Sequence, residues 1–142
     1  MSLNISLSQI IDRPVPEVFR FFAADHVQNH PRWDPHMHLE QVTEGPIGVG
    51  TIIRRRITRG ETPVSGEMKV VEYKKDEAFG TVTQDGNSEI RGRVTFKPEN
   101  GGETTLTMNV EFIDMDPSME ERITGMMQGS LDNIKNLIES ET

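Results

Sequence analysis

Cysteine is absent from this chain, and its absence removes three kinds of site at once. Without a thiol there is no disulfide framework, no thiolate nucleophile and no thiolate metal ligand. The absence also fits a reducing compartment, so we expect a cytoplasmic protein. Aromatic residues are sparse as well, with one tryptophan and one tyrosine among 142 residues.

Long apolar runs and a surplus of basic residues are also missing. No segment approaches the roughly 20 apolar residues of a membrane-spanning helix, and the first residues lack the layout of a signal peptide. The net charge is -8, and the one basic cluster, residues 54–56 with Arg59, is divided between two faces of a predicted strand. We therefore expect no membrane span and no nucleic-acid partner.

The informative feature that is present is the order of the hydrophobic patterns. Apolar residues at helical spacing predict a short helix over 15–24, an irregular helical turn over 26–32 and a long amphipathic helix over about 118–139. Alternating patterns predict strands at 3–11, 37–44, 50–60, 63–74, 77–84, 88–98 and 103–115. The length fits one domain over residues 1–142.

Short turns join the six consecutive strands after the helices, so these strands must be antiparallel. In the last two strands the apolar residues share one face: Ile90, Val94 and Phe96 in one, and Met108 and Phe112 in the other. Only one face of the sheet is dry, and only that face is large enough to receive the long helix. The predicted fold class is α+β, with about seven curved antiparallel strands wrapped around a C-terminal helix and two short helices after the first strand.

With the elements in this order, the chain resembles the polyketide cyclase/dehydrase-like branch of the START-related (SRPBCC) superfamily. The resemblance is carried by the segments IDRPVPEVF at 11–19, HPRWDP at 30–35, GPIGVGT at 45–51, VVEY at 70–73 and GSLDNIKNL at 129–137. It implies the helix-grip fold, in which the sheet grips the last helix around a hydrophobic cavity. It does not imply one chemistry, because the superfamily contains lipid and hormone carriers, cyclases and co-chaperone domains.

Arg55 is the most informative charged residue. The period of two places it on the dry face with Ile53 and Ile57, where an arginine needs an anionic or hydrogen-bonding partner. We consider three partners: an internal carboxylate (Glu67, Glu72 or Glu89), an acidic ligand, or solvent if a bulge reverses the register.

Trp33 and the methionines also have two interpretations each. Trp33 either fills the gap between the short helices and the sheet or stacks on a ligand. The eight methionines either fill the core or line a permissive apolar pocket. Ser130 lies on the apolar side of the last helix, where its hydroxyl faces the cavity or bonds back to the helix. The candidate ligand-binding residues are Trp33, Arg55, Met68, Phe79, Phe96, Met108, Phe112, Met126, Met127 and Ser130.

The four histidines, at 26, 30, 36 and 38, have spacings that suit a metal ion, but two prolines interrupt them. We interpret them as solvated residues near a cavity rim and expect no metal and no cofactor. Gly125 and Gly129 are predicted on the outer side of the last helix. Glycine at these positions would allow a close contact with a second copy of the chain, so we leave the formation of a homodimer undecided.

The function that these patterns favour is binding of a small, largely hydrophobic molecule, such as a lipid-like, polyketide-like or aromatic compound, inside the cavity. One alternative is a cyclase or dehydrase that uses polar groups in the same cavity, which leaves the catalytic residues unassigned. The other is a co-chaperone-like interaction module acting through its outer surface.

Overall fold

The structure is a computed structural model, and it describes residues 2–58 and 62–141. Arg59, and with it the end of the strand predicted over 50–60, lies outside the described residues. Seven strands form one antiparallel sheet in the order β1-β7-β6-β5-β4-β3-β2, which confirms the predicted fold class. The strands are β1 Ser2–Ile11, β2 Met37–Gln41, β3 Ile52–Ile57, β4 Val64–Lys74, β5 Ala78–Asp85, β6 Ser88–Glu99 and β7 Glu103–Ile113.

The short helices after β1 differ in detail from the predicted pair. Helix α1 covers Val15–Phe19 and continues into a π-helical turn, Arg20–Ala24, before α2 covers His26–Trp33. The wide π-helical turn buries three consecutive residues, Phe21, Phe22 and Ala23. The segment predicted as an irregular turn over 26–32 is instead an α-helix of eight residues, and Pro31 lies inside it.

The long helix α3 covers Glu120–Ser140, after a 3₁₀ turn over Pro117–Met119. The side chain of Asp116 accepts a hydrogen bond from the backbone N–H of Ser118 at 2.9 Å and thereby begins the turn. The helix packs along β1 and closes the concave side of the sheet.

The buried side chains form two separate apolar clusters. The larger one joins the short helices, the middle of the sheet and the second half of α3, with Leu131, Ile134 and Ile138 as its helical members. The smaller one joins the first half of α3 to β1 through Ile123 and Met127. The first half of α3 is therefore held by much less apolar surface than the second half.

Polar contacts repeat this difference along α3. In the second half of the helix, Asp132 accepts a hydrogen bond from Gln9 at 3.0 Å, Asn133 donates to the carbonyl of Trp33 at 3.1 Å, and Lys135 donates to the carbonyl of Ile10 at 2.9 Å. The second half is thus tied to both β1 and α2.

Candidate functional site

A pocket of about 760 Å³ lies between the concave face of the sheet, α2 and the first half of α3. Its volume is within the range of small-molecule sites, about 300–1,000 Å³. The pocket is open to solvent, and Met126, one of its lining residues, is 42% exposed. A smaller depression of about 390 Å³ lies on the outer face of the sheet.

Methionine is the characteristic residue of the pocket wall. Of the eight methionines in the sequence, Met1 lies outside the described residues, and the other seven all line the pocket. They come from β2, β4, β7, the segment before α3 and α3 itself: Met37, Met68, Met108, Met115, Met119, Met126 and Met127. Unbranched thioether side chains adapt their shape, so this wall can close around different apolar surfaces.

One side of the pocket is built from flat rings. The ring of Trp33 lies nearly parallel to Phe22, with centroids 5.1 Å apart and an interplanar angle of 10°. On Trp33 the ring of His30 stacks in the same way, at 5.0 Å and 17°. Trp33 is 4% exposed, so it both fills the gap beneath the short helices and contributes to the pocket wall.

His26 and His30 form a hydrogen-bonded pair one helical turn apart on α2. Nδ1 of His26 lies 2.8 Å from the carbonyl oxygen of Phe22, and Nε2 of His26 lies 3.0 Å from Nδ1 of His30. A carbonyl only accepts, so His26 carries its proton on Nδ1 and, when neutral, accepts at Nε2 from the Nδ1–H of His30. The prediction that these histidines are solvated is wrong for His26, which is 4% exposed.

Burial lowers the pKa of His26 to about 4, although the hydrogen bond to Phe22 favours its charged form. The positive charge of Arg55 lowers the pKa further. His26 is therefore neutral at pH 7, which is the state that the hydrogen-bond pattern requires.

Arg55 is buried and paired with a carboxylate, Asp85. Nε of Arg55 donates to one carboxylate oxygen of Asp85 at 3.0 Å, and Nη2 donates to the other at 2.6 Å. The two side chains are 10% and 7% exposed, and both line the pocket. None of the predicted glutamates fills this role. Glu67 and Glu89 each precede an inward-facing residue of their strand and so belong to the outer face, and Glu72 pairs with Arg93 on that face.

Gly66 makes this pairing possible. It lies between Arg55 and Asp85 in the sheet, because Arg55 is its register partner on β3 and Asp85 its register partner on β5. A Cβ atom at position 66 would lie 2.0 Å from Oδ1 of Asp85 and 2.3 Å from the backbone oxygen of Gln84. The missing side chain leaves the space in which the two charged groups meet.

The structure places nine of the ten candidate residues around the pocket. They are Trp33, Arg55, Met68, Phe79, Met108, Phe112, Met126, Met127 and Ser130. Phe96 is the exception: it is buried in the larger core cluster, where its ring contacts Phe19 and Phe22 edge-on. It shares the inward face of β6 with Val94 but lies beneath the short helices rather than beside the pocket.

Gly129 also differs from its predicted position, because it lines the pocket instead of the outer side of α3. A Cβ atom at 125 or 129 would have nothing within 4 Å. Neither glycine therefore serves a close approach within this chain, and the homodimer stays a prediction.

Two kinds of feature are absent from the described ranges, 2–58 and 62–141. In these ranges no three histidine, aspartate or glutamate side chains lie close enough together to hold a metal ion. None of the helices there combines the length and the apolar character of a membrane-crossing segment.

Residues 2–139 match the family described as polyketide cyclase/dehydrase and lipid transport. Ara h 8.0201 has a similar structure, with a TM-score of 0.80, 14% identity and coverage of 99% of this chain and 100% of that one. A protein of Chromobacterium violaceum gives a TM-score of 0.75 at 18% identity, covering 96% and 97%. Norcoclaurine synthase from Thalictrum flavum, in complex with dopamine and hydroxybenzaldehyde, gives 0.75 at 15% identity, covering 100% and 89%. None of the curated protein sequences compared with this chain matches it.

Proposed function

Because this chain belongs to the polyketide cyclase/dehydrase and lipid transport family, we propose that it binds a small, largely apolar aromatic molecule in the pocket between the sheet and α3. The observation that supports this most is the methionine wall, to which all seven described methionines contribute. Flexible methionine side chains can adapt to the shape of a bound molecule, so a wall rich in methionine suits a ligand-binding pocket.

The ring stack supports an aromatic ligand over a purely aliphatic one. The rings of Phe22, Trp33 and His30, all on the pocket wall, stack on one another. Stacked aromatic pairs contribute about 0.5–1.5 kcal/mol beyond the burial of their area. The same fold in norcoclaurine synthase holds dopamine and hydroxybenzaldehyde, two small aromatic molecules.

The binding experiment is calorimetric titration with 2-naphthol, a rigid probe with an apolar body and one hydroxyl. We expect a Kd on the order of 10 µM, which corresponds to about -7 kcal/mol. The pocket-filling variant is Gly92→Phe, since Gly92 lines the pocket on β6 and its Cβ would meet only Thr81 Oγ1, at 3.5 Å. This variant should weaken binding about tenfold or more, because the phenyl ring takes the volume of the probe.

The matched control is Arg91→Phe, one residue away on the opposite, exposed face of β6. It should bind 2-naphthol as the unmodified protein does. Gly92→Val serves as a smaller filler should the phenyl ring unfold the protein. Equal affinities for the fillers and the control, or no binding heat for the unmodified protein, would contradict the proposal.

A second candidate function, acid–base catalysis on the bound molecule, is favoured by the His26–His30 pair. His26 accepts from Nδ1–H of His30 and thereby fixes the orientation and tautomer of that ring, as a positioning residue does. In this candidate, the imidazole of His30 takes a proton from a carbon next to a carbonyl group. The C–H electron pair becomes the enolate, and the same proton or one from solvent returns to the carbon.

This second candidate is tested with 2-tetralone, an enolisable aromatic ketone, in deuterium oxide. Proton NMR should show faster loss of the α-proton signal with the protein than with buffer alone, and His30→Gln should remove the acceleration. His36→Gln, which changes another histidine of the pocket wall, is the control and should leave the rate unchanged. Binding of the ketone without any acceleration would reduce the function to that of a binding protein.

A further inference from the structure

The pocket wall carries arginines and aspartates in equal number. Among the described residues, the pocket wall contains two arginines, Arg55 and Arg122, two aspartates, Asp34 and Asp85, and three histidines, His26, His30 and His36. His26 adds no charge at pH 7, since burial lowers its pKa to about 4. The whole chain carries a net charge of -8. Each arginine of the pocket wall is thus matched in number by an aspartate, and the field of the whole chain disfavours an anion.

Arg55 is the buried cation of the pocket, and Asp85 already binds it. The carboxylate of Asp85 accepts from Nε and Nη2 together, which is the two-point geometry that a ligand carboxylate would need. The row of register partners across β3, β4 and β5, with glycine at its centre, fixes both side chains in place. A carboxylate ligand would have to displace an internal partner that costs no association entropy.

The pair still offers hydrogen-bonding atoms to a neutral ligand. Carboxylate oxygens have further lone pairs, and a guanidinium has five N–H donors. The hydroxyl groups of Thr83 and Ser88, which also line the pocket on neighbouring strands, add a donor and an acceptor each. A neutral group that both donates and accepts can bond to these groups without separating the ion pair.

We propose that Asp85 makes the pocket selective for neutral, hydrogen-bonding aromatic molecules, such as phenols and amides, over carboxylates of the same shape. This inference rests on the proposed binding function and names the ligand class of that site. The acidic ligand considered as a partner of Arg55 is replaced by the protein's own carboxylate.

The experiment compares naphthalene-2-carboxamide with naphthalene-2-carboxylate, two probes of nearly equal shape that differ in charge, by calorimetry at pH 7.5. In the unmodified protein the amide should bind about tenfold tighter or more, because the carboxylate loses its hydration while the buried cation, Arg55, is already bound by Asp85. In Asp85→Asn, Arg55 keeps a neutral partner, so affinity for the carboxylate should rise about tenfold while that for the amide changes less than about threefold.

The control variant is Asp76→Asn, which changes the net charge equally in the turn between β4 and β5, where φ is +61° and asparagine is tolerated. It should leave the ratio of the two affinities unchanged. Equal affinities of the two probes for the unmodified protein, or an unaltered ratio in folded Asp85→Asn, would overturn the inference. The first comparison needs no variant, so it stands even if Asp85→Asn fails to fold. Failure of both probes and of 2-naphthol to bind would instead overturn the proposed binding function itself.

Discussion

Replacing Gly66 with alanine should be the most damaging one-carbon change on the inward face of the sheet. The added Cβ would lie 2.0 Å from Oδ1 of Asp85, 2.3 Å from the carbonyl oxygen of Gln84 and 3.0 Å from the Cα of Asp85. Two of these three atoms belong to the backbone, so rotation of a side chain does not remove the clash. Strand β5 must move away from β4, or Asp85 must leave Arg55.

Each of these responses has a known order of magnitude. Overpacking that shifts a backbone costs about 1–3 kcal/mol. Breaking a buried ion pair by removing one partner costs about 3–5 kcal/mol, because the other charge stays buried. We expect Gly66→Ala to lower the free energy of unfolding by about 4 kcal/mol, which is a large part of the roughly 5–15 kcal/mol of an ordinary domain. At this chain length the midpoint of thermal unfolding should fall by about 10 °C.

The assay is urea denaturation followed by the fluorescence of Trp33, the only tryptophan. Gly92→Ala is the matched control, because its Cβ would make one ordinary contact of 3.5 Å with Thr81. It should change the free energy of unfolding by less than about 1 kcal/mol. In an Asp85→Ala background the cost of Gly66→Ala should be smaller, because the carboxylate no longer adds to the clash. A loss below about 1 kcal/mol for Gly66→Ala, or one equal to that of the control, would refute this reasoning.

Three further changes have defined outcomes. Gly125→Ala and Gly129→Ala should each raise the free energy of unfolding by up to about 1 kcal/mol in urea denaturation, since both positions are helical and open; a loss of stability would reveal an unrecognised contact. The pKa of His26 is about 4 in the folded protein and 6.5 for an unperturbed histidine, so the unfolded chain binds more protons between these values, and stability falls as the pH drops from 6.5 towards 4. Over this range His26 contributes about 2–3 kcal/mol to the change. In His26→Asn the free energy of unfolding, measured by denaturation at pH 6.5 and at pH 4, should therefore change less between the two pH values. An equal change in the variant and the unmodified protein would rule out His26 as the cause. Glu72→Gln, which weakens a largely exposed pair with Arg93, should cost less than about 1 kcal/mol in the same assay, and a larger loss would show that the outer face carries more of the stability than we infer.

The strands of this fold were predictable because one face of the sheet is dry and the other wet. Alternating apolar residues predict the inward face of the last two strands, and the structure confirms it. These residues are Ile90, Val94 and Phe96 in β6 and Met108 and Phe112 in β7. The turns specify antiparallel neighbours from β2 to β7, so the order of these six strands follows sequence order, whereas the pairing of β1 with β7 does not. The predicted ends differ by up to three residues where described, as at β2, because pairing with a neighbour rather than composition ends a strand.

The partner of Arg55 was not predictable in the same way. Asp85 belongs to the sequence Asp-Gly-Asn, which is typical of a turn, and so it reads as a loop residue although it is the last residue of β5. The pairing depends on the register of three strands together. A glycine on an inward position of β4, opposite an inward arginine, was the available signal, since a missing side chain on a dry face marks a close approach.

The histidine pair shows the same limit on α2. The spacing of His26 and His30 indicates a shared helix face, but it suits a metal, a hydrogen bond and two solvated rings equally. The aromatic residues around His26 and the carbonyl of Phe22 decide among these, and the π-helical turn that brings them there has no signature in the sequence. Phe96 was assigned to the pocket for the related reason that alternation gives the face of a strand but not what covers each point along it.

The most direct test of the central claim uses the methionine wall itself. In protein labelled with ¹³C at the methionine methyl groups, intermolecular nuclear Overhauser effects with the ring protons of 2-naphthol report which methionines touch the probe. We expect effects to Met68, Met108 and Met127, which approach the pocket from β4, β7 and α3, and their loss in Gly92→Phe. Binding of 2-naphthol without an effect to any of these three methyl groups would place the ligand elsewhere and contradict the account.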